Sequence, residues 1–417
     1  MNKADYKKLP RNNILCIDMK SFYASIEAVI RGLDPLETPL AVVGDMKRSG
    51  SVVLAATPPL KENYGIKTGS RLYEIPKTPE IVLVEAQMEL YLERSLDITR
   101  LLNEFAPLHK IHVYSIDEAW LKLDGTEHIF GDKWQVAKKI KNKILEEYSL
   151  PCSIGLGPNM FLAKVAMDTE GKEKGLVEWS YEDVPQKLWP LPLEKCWGIG
   201  SRLTRRFNRI GIKTVGQLAK LPLSFLERRF GIMGSQLYYH AWGVDLSEVE
   251  GKYNPQPQSL GRGITLLRDY NSLREIKTVI FELCEDITRR ARRQNLAGKT
   301  VNLGLGYSRK ELEPGFSKQK SLSRYTCLTS EIFESCKQLL TENYSRQKVR
   351  KVNISLSNFA PCTHLQLSLF EDKSSEIKLA RLKDRVQERY GYQSLFYGRS
   401  LNKGSILKRI ENTIGGH

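Results

Sequence analysis

Ile111-His112-Val113-Tyr114-Ser115-Ile116-Asp117-Glu118-Ala119-Trp120-Leu121-Lys122-Leu123 is the stretch whose reading decides the fold. Two apolar runs flank two adjacent carboxylates. β-branched and aromatic residues on both sides predict two strands, with Asp117 and Glu118 at the bend. Neighbouring anions repel, so the arrangement calls for a reason. Carboxylate oxygens suit Mg²⁺, which keeps waters and takes phosphate oxygens as its remaining ligands. A solvated turn would be the simpler account of an isolated Asp-Glu pair, but a third acid changes the weighing. Asp18 ends the apolar run Ile14-Leu15-Cys16-Ile17, which reads as a buried strand, and Phe22-Tyr23-Ala24-Ser25-Ile26-Glu27 then starts a helix. A carboxylate at the end of a central strand, opposite a hairpin carrying two more, is what two-metal phosphoryl transfer needs.

Working outward, 417 residues give room for roughly two to four domains. A net charge of +16 favours a polyanionic partner, either nucleic acid or an anionic membrane surface. No apolar run approaches the length of a spanning helix. The charged start Met1-Asn2-Lys3-Ala4-Asp5-Tyr6-Lys7-Lys8 is followed by no signal-peptide core. Nucleic acid is therefore the expected partner and the cytoplasm the expected location. The cysteines at 16, 152, 196, 284, 327, 336 and 362 show no ligand spacing and read as buried free thiols.

The strings Ile17-Asp18-Met19-Lys20-Ser21-Phe22-Tyr23-Ala24-Ser25-Ile26-Glu27 and Ser115-Ile116-Asp117-Glu118-Ala119 resemble the two metal-binding motifs of the Y-family, or translesion, DNA polymerases. The UmuC-like branch of Gram-positive bacteria is the most similar, and the resemblance runs to about residue 370. It implies a multidomain α+β chain shaped as a right-handed polymerase. The palm would take 1–30 and 89–175, the fingers 31–88, and a helical thumb with a helix-hairpin-helix 176–247. A linker at 248–258, an α+β little finger at 259–365 and a tail at 366–417 would follow. The resemblance also implies that Asp18, Asp117 and Glu118 are catalytic and hold two Mg²⁺ ions, with the Met19 carbonyl completing a site.

Other motifs attach to this frame. Strands are predicted at 14–18, 40–44, 51–55, 81–84, 111–116, 120–123 and 151–156. Val136, Ile140, Ile144 and Tyr148 mark a helix between them. Residues 19–23 pass from strand to helix, so the amides around Ser21, Phe22 and Tyr23 can cradle a triphosphate. Tyr23 is a core tyrosine by periodicity alone; the resemblance makes it the steric gate that excludes a 2′-hydroxyl. In Leu54-Ala55-Ala56-Thr57-Pro58-Pro59-Leu60-Lys61-Glu62-Asn63-Tyr64-Gly65, the positions where many relatives carry Tyr and Arg hold Pro59 and Glu62. Lys61 is the nearest cation, and which residues of this segment meet the triphosphate stays open.

Gly155-Leu156-Gly157-Pro158-Asn159 leads into a helix bearing Lys164, and a third glycine for a dinucleotide fingerprint is missing. A helix lysine is by default a surface residue; the resemblance assigns Lys164 to the β- and γ-phosphates. Cys196-Trp197-Gly198-Ile199-Gly200-Ser201-Arg202 followed by Ile210-Gly211-Ile212 looks like a helix-hairpin-helix, with Gly198 and Gly200 near phosphates and Arg202, Arg205 and Arg206 around them. A packing turn with a solvated basic face is the plainer alternative, but the density of one sign argues for sequence-independent contact with the DNA backbone.

Ile276, Ile280, Leu283, Ile287 and Ala291 mark a further helix face, with Arg292 and Arg293 at its end as candidate DNA contacts. Val352, Ile354 and Leu356 alternate as in a half-buried strand. Residues 376–390 read as a helix and 400–417 as a basic tail. Gln366-Leu367-Ser368-Leu369-Phe370 is similar to the peptide by which bacterial polymerases bind the sliding clamp (β subunit), with Gln366, Leu367, Leu369 and Phe370 as contacts; an ordinary apolar strand end is the alternative.

The expected activity is template-directed DNA synthesis across damaged bases, with primer-template DNA and deoxynucleoside triphosphates as partners, no membrane, and a monomeric enzyme. Two rivals come from other classes. A non-catalytic DNA-binding repair scaffold would have no need of all three acids. A nuclease or glycosylase built on the hairpin motif lacks a candidate base-processing pocket in the sequence.

Overall fold

The computed structural model describes residues 3–249, 257–362 and 373–411. The chain divides into two compact units, Met1–Tyr253 and Asn254–His417. The linker expected at 248–258 therefore lies mostly outside the described residues, and so does the peptide 366–370.

In the first unit, strand β1 (Ile14–Met19) is the middle strand of a five-stranded sheet. Its residues are buried on both faces, which is why it reads as a continuous apolar run and not an alternating one. The small sheet of this unit contains β2 (Leu40–Val43), β3 (Val53–Ala56) and β4 (Val82–Glu85), with β2 in the middle. The remaining strands of the large sheet are β5 (Ile111–Val113), β6 (Glu118–Lys122), β7 (Cys152–Gly157) and β8 (Leu176–Glu178), in the order β5-β6-β1-β7-β8. β6 and β7 flank β1, both antiparallel to it.

Helices Met88–Leu102 and Lys133–Tyr148 bury Tyr91, Leu101, Ile140 and Ile144 in the core shared with β1. The predicted Val136, Ile140 and Ile144 face is the buried one; Tyr148 only packs at its edge. Helix Met160–Ala166 lies close on β7. A Cβ at Gly155 would meet the Ala163 carbonyl oxygen at 2.1 Å, and one at Gly157 the Ala163 nitrogen at 2.5 Å. These glycines thus serve helix–strand approach, and the same approach delivers Lys164 to the end of β1. Helices Ser201–Asn208, Val215–Ala219, Leu223–Phe230 and Ile232–Ala241 close around Phe207, Leu218, Leu226 and Leu237.

The second unit has an antiparallel sheet of β9 (Ser259–Tyr270), β10 (Leu296–Tyr307), β11 (Gly315–Thr326) and β12 (Val349–Pro361), ordered β11-β10-β12-β9. Val352, Ile354 and Leu356 of β12 face the core, together with Ile276, Ile280, Leu283 and Ile287 of helix Leu273–Arg293.

The reading of 400–417 as a basic tail needs correction for the residues described. Helix Ser374–Tyr390 and the turns after it fold back onto helix Leu273–Arg293. Tyr392, Ile406 and Leu407 enter the core, and buried Glu282 accepts hydrogen bonds from the Ile406 N–H at 2.7 Å and the Ser405 hydroxyl at 2.6 Å. The few apolar residues of a charged segment are enough to anchor it when the acids on the facing helix supply acceptors.

Candidate active site

The three acids meet where β1 and β6 end. Asp18 and Glu118 are direct cross-strand partners. The Met19 N–H donates to the Asp117 carbonyl at 2.9 Å, which pins the turn of the acid-bearing hairpin against β1. Asp117 itself accepts from the Ser115 hydroxyl at 2.6 Å. An aromatic cluster braces the hairpin from behind: the Trp120 ring lies 5.1 Å from Tyr114 and 5.6 Å from Trp197, and its N–H donates to the Met160 carbonyl.

Lys164 is buried and enters between the acids. Its ammonium lies 2.9 Å from Glu118, 3.8 Å from Asp18 and 3.2 Å from Asp168. Among the described residues, no three acid, thiol or imidazole groups converge closely enough to ligate one ion. The physical reason is visible: the Lys164 ammonium takes the gap between Asp18 and Glu118, and Ser115 holds Asp117.

Burial pushes the Asp18 carboxyl up to about 6, the charges of Lys172 and Lys164 pull it back, and those of Asp117 and Glu118 push it further up. By chemistry the three carboxylates are hard oxygen donors that suit a divalent cation, although as placed, with Lys164 between Asp18 and Glu118, they do not converge on one point. Asp168 matters to this fit: it also pairs with Lys172 at 2.8 Å, and it gives Lys164 a carboxylate of its own outside the set. Burial alone would lower the Lys164 ammonium, but its hydrogen bond to Glu118 and the charges of Asp168 and Glu118 outweigh it, and Lys164 is held charged. The Cys16 thiol, kept protonated by burial and by Glu118, donates to the Glu118 carboxylate at 3.4 Å.

The residues expected to face a nucleotide lie beside the acids. Ser21 is the N-cap of helix Phe22–Ile30, in the left-handed region at φ 48°, with no side-chain cap. Phe22 is buried and Tyr23 half-buried. Burial, together with the Asp117 charge, raises the Tyr23 phenol, as expected of a ring next to the acids. Lys61, on helix Pro58–Tyr64, donates to the Ser21 hydroxyl at 2.7 Å. Burial and then the Lys172 charge lower its ammonium, while Asp18 acts to raise it. Lys61, Lys164 and Lys172 thus surround the Asp18 end of β1. Counting positions back from Gly65 leads only to Pro59 and Glu62; Lys61, one position from Glu62, is exposed and is the residue that reaches Ser21.

The hairpin motif expected to meet DNA leaves its backbone uncovered. Gly198 adopts φ 88°, and a Cβ at Gly198 or Gly200 would meet nothing within 4 Å, so the backbone is open to close approach. Gly200 caps helix Ser201–Asn208, whose Thr204 and Phe207 point inward while Arg202, Arg205 and Arg206 are exposed. Arg206 lies over the Phe230 ring, 4.6 Å from its centre.

Arg292 is a correction. It is buried, pairs in two bonds with Asp384 at 2.6 and 2.8 Å, and donates to the Cys327 carbonyl at 2.8 Å. A guanidinium satisfied in this way is a structural cation and cannot also reach a phosphate. Arg293, next to it, is exposed, with Glu388 at 3.7 Å.

Comparison with known proteins identifies the family and the fold. The impB/mucB/samB family model matches residues 17–168, its C-terminal domain 257–369, and the helix-hairpin-helix motif of the same family 181–212. The UvrX protein of Bacillus subtilis (strain 168) is 48% identical over 99% of both chains. DNA polymerase IV 2 of the same organism is 34% identical over 97% of this chain and 98% of its own. A solved Y-family DNA polymerase chimera superposes with a TM-score of 0.68 at 24% identity, covering 84% of this chain and 99% of that one. The chain belongs to the impB/mucB/samB family and has the fold of the Y-family DNA polymerases, with palm, fingers, helix-hairpin-helix thumb and little finger.

Proposed function

We propose that this chain is a DNA-directed DNA polymerase that extends a primer across damaged template bases, at low fidelity. The observation that carries the reading is the meeting of Asp18, Asp117, Glu118 and Lys164 at one end of β1, beside Tyr23. Relatives named DNA polymerase IV support the activity.

In the reaction, the primer 3′-hydroxyl attacks the α-phosphate of a deoxynucleotide and pyrophosphate leaves. Asp18, Asp117, Glu118 and the Met19 carbonyl would hold two Mg²⁺ ions, which when bound activate the hydroxyl and neutralise the triphosphate. Lys164 keeps Asp168 as a partner, so it stays charged and can offset charge developing on the leaving group. Lys61, beside the helix start at Ser21, Phe22 and Tyr23, supplies a second cation for the triphosphate in place of the absent arginine. Tyr23 packs under the sugar and excludes a 2′-hydroxyl. Gly198, Gly200, Arg202, Arg205, Arg206 and Arg293 hold primer-template DNA through its phosphates without reading sequence.

The enzyme works as a monomer in the cytoplasm, and Gln366, Leu367, Leu369 and Phe370 tether it to the sliding clamp; among the described residues, no helix is long and apolar enough to cross a membrane. Primer extension with and without Mg²⁺, on the parent and on Asp117→Ala, tests the reading. Expected is Mg²⁺-dependent extension that the substitution abolishes while primer-template affinity persists. Extension by the variant at near the parental rate would remove the assignment.

A further inference from the structure

A ring can exclude a 2′-hydroxyl only if it does not yield when the heavier sugar arrives. Tyr23 is half-buried and sits in the first turn of its helix, where rotation of its side chain would be an easy escape. Behind it lies Tyr91 of helix Met88–Leu102. The two rings stack nearly flat, with centroids 4.5 Å apart and 14° between planes. Tyr91 is fully buried.

The Tyr91 hydroxyl donates to Glu27 at 2.6 Å, and Glu27 is itself fully buried. Glu27 is further held by the Gln87 amide at 3.2 Å and by an ion pair with Arg31. Burying a carboxylate is costly unless it is fully partnered. An apolar residue would fill this position without that cost, so an anchoring role explains what packing alone does not. Glu27 comes four residues after Tyr23 on the same helix, so one helix carries both the sugar-facing ring and the acceptor that fixes the ring behind it. Tyr23, Glu27 and Tyr91 form a closed loop: stack, hydrogen bond and shared helix. Burial and the bond to Glu27 both keep the Tyr91 phenol protonated, so it remains a donor.

We propose that Tyr91, anchored by Glu27, is a positioning residue for sugar selection: it backs the Tyr23 ring and acts through it to exclude nucleotides bearing a 2′-hydroxyl. This rests on the reading of Tyr23 given above. Tyr91 touches no reacting atom; it sets how far Tyr23 can move.

The test is single-nucleotide incorporation on a fixed primer-template with matched ribo- and deoxynucleotides, reported as the ratio of their kcat/KM values. Tyr91→Leu removes the flat backing and should relax discrimination roughly 3- to 10-fold, the worth of one aromatic pair. Deoxynucleotide incorporation should change much less. Tyr91→Phe keeps the ring and loses only the bond to Glu27, so it should relax discrimination less. A loss in Tyr91→Leu that is equal for both sugars would mark Tyr91 as core packing and overturn the proposal. Should that variant not fold, Tyr91→Phe decides alone: a relaxed ratio supports the proposal and an unchanged ratio overturns it. Tyr23→Ala separates this inference from the reading beneath it. If Tyr23→Ala still rejects ribonucleotides like the parent, the gate lies elsewhere; if it admits them and Tyr91→Leu does not, only the backing role fails.

Discussion

Replacing Asp18 by Asn should destroy primer extension and, at the same time, make the metal-free protein more stable. Burial pushes the Asp18 carboxyl up to about 6 from an ordinary 3.8, with Asp117 and Glu118 adding to the rise. An anion that ionises so late costs the folded protein about 3 kcal/mol at neutral pH. The sign follows from proton counting. Below about pH 4 the group is protonated in both states and costs nothing. Between about 4 and 6 the unfolded chain releases a proton that the folded chain keeps, so stability falls as pH rises, and the cost is complete above about 6. Asn keeps the shape without the charge. The attraction of Lys164, 3.8 Å away, is already part of that balance. A gain of about 3 kcal/mol corresponds to roughly 6–12 °C in Tm for a unit of this size. Thermal melts in chelator at pH 7 should show that rise, and melts near pH 4 should show little of it. Added Mg²⁺ should raise the Tm of the parent far more than that of the variant, since only the parent keeps all three acids. A variant that melts at or below the parent at pH 7 in chelator, or one whose gain is the same at both pH values, would refute the reasoning.

Changing Arg205 and Arg206 together to Ala should make the slope of log K against log salt shallower, by up to about 0.9 for each phosphate no longer neutralised, and should weaken all duplex sequences alike; an unchanged slope in a binding titration contradicts phosphate binding by this pair. Arg292→Ala should instead leave that slope alone and destabilise the second unit by about 3–5 kcal/mol, because Asp384 is left without its buried partner; denaturant melts beside the same titration check both halves. Replacing Leu369 and Phe370 by Ala should leave unassisted extension unchanged and abolish stimulation by added clamp; loss of unassisted activity would mean the peptide packs as part of the fold.

What is legible in the sequence is what short-range patterns encode. Asp18 stands at the end of an apolar strand and Asp117-Glu118 at a hairpin bend, and both readings need only neighbouring residues. Lys164 reads as a surface lysine by helical spacing, and only the family resemblance singles it out. Residues whose roles depend on distant partners stay hidden. Lys61 reaches Ser21 across forty positions of chain, and counting from Gly65 says nothing about which side of the Pro58–Tyr64 helix faces the acids. Tyr91 is one aromatic among many until its ring is seen against Tyr23.

The arginines at the end of helix Leu273–Arg293 show the limit most sharply. As a run of one sign they read as a phosphate-binding edge. The same helix, however, buries Glu282, Glu285 and Asp286, and buried anions must find cations or donors. Asp286 takes Arg262 at 3.1 Å, Glu285 pairs with Lys383, and Glu282 accepts from Ser405 and Ile406. The returning C-terminal helix brings not only Lys383 but also Asp384, and that carboxylate claims Arg292. Acids at 282, 285 and 286 on one helix face are a readable sign that charged partners fold over it. The partners of Glu285 and Arg292 come from residues roughly ninety to a hundred positions away, while Asp286 takes Arg262 from strand β9. A basic residue in a DNA-binding chain is thus free for phosphate only after the buried carboxylates have been paired, and by that reckoning Arg293 remains available and Arg292 does not.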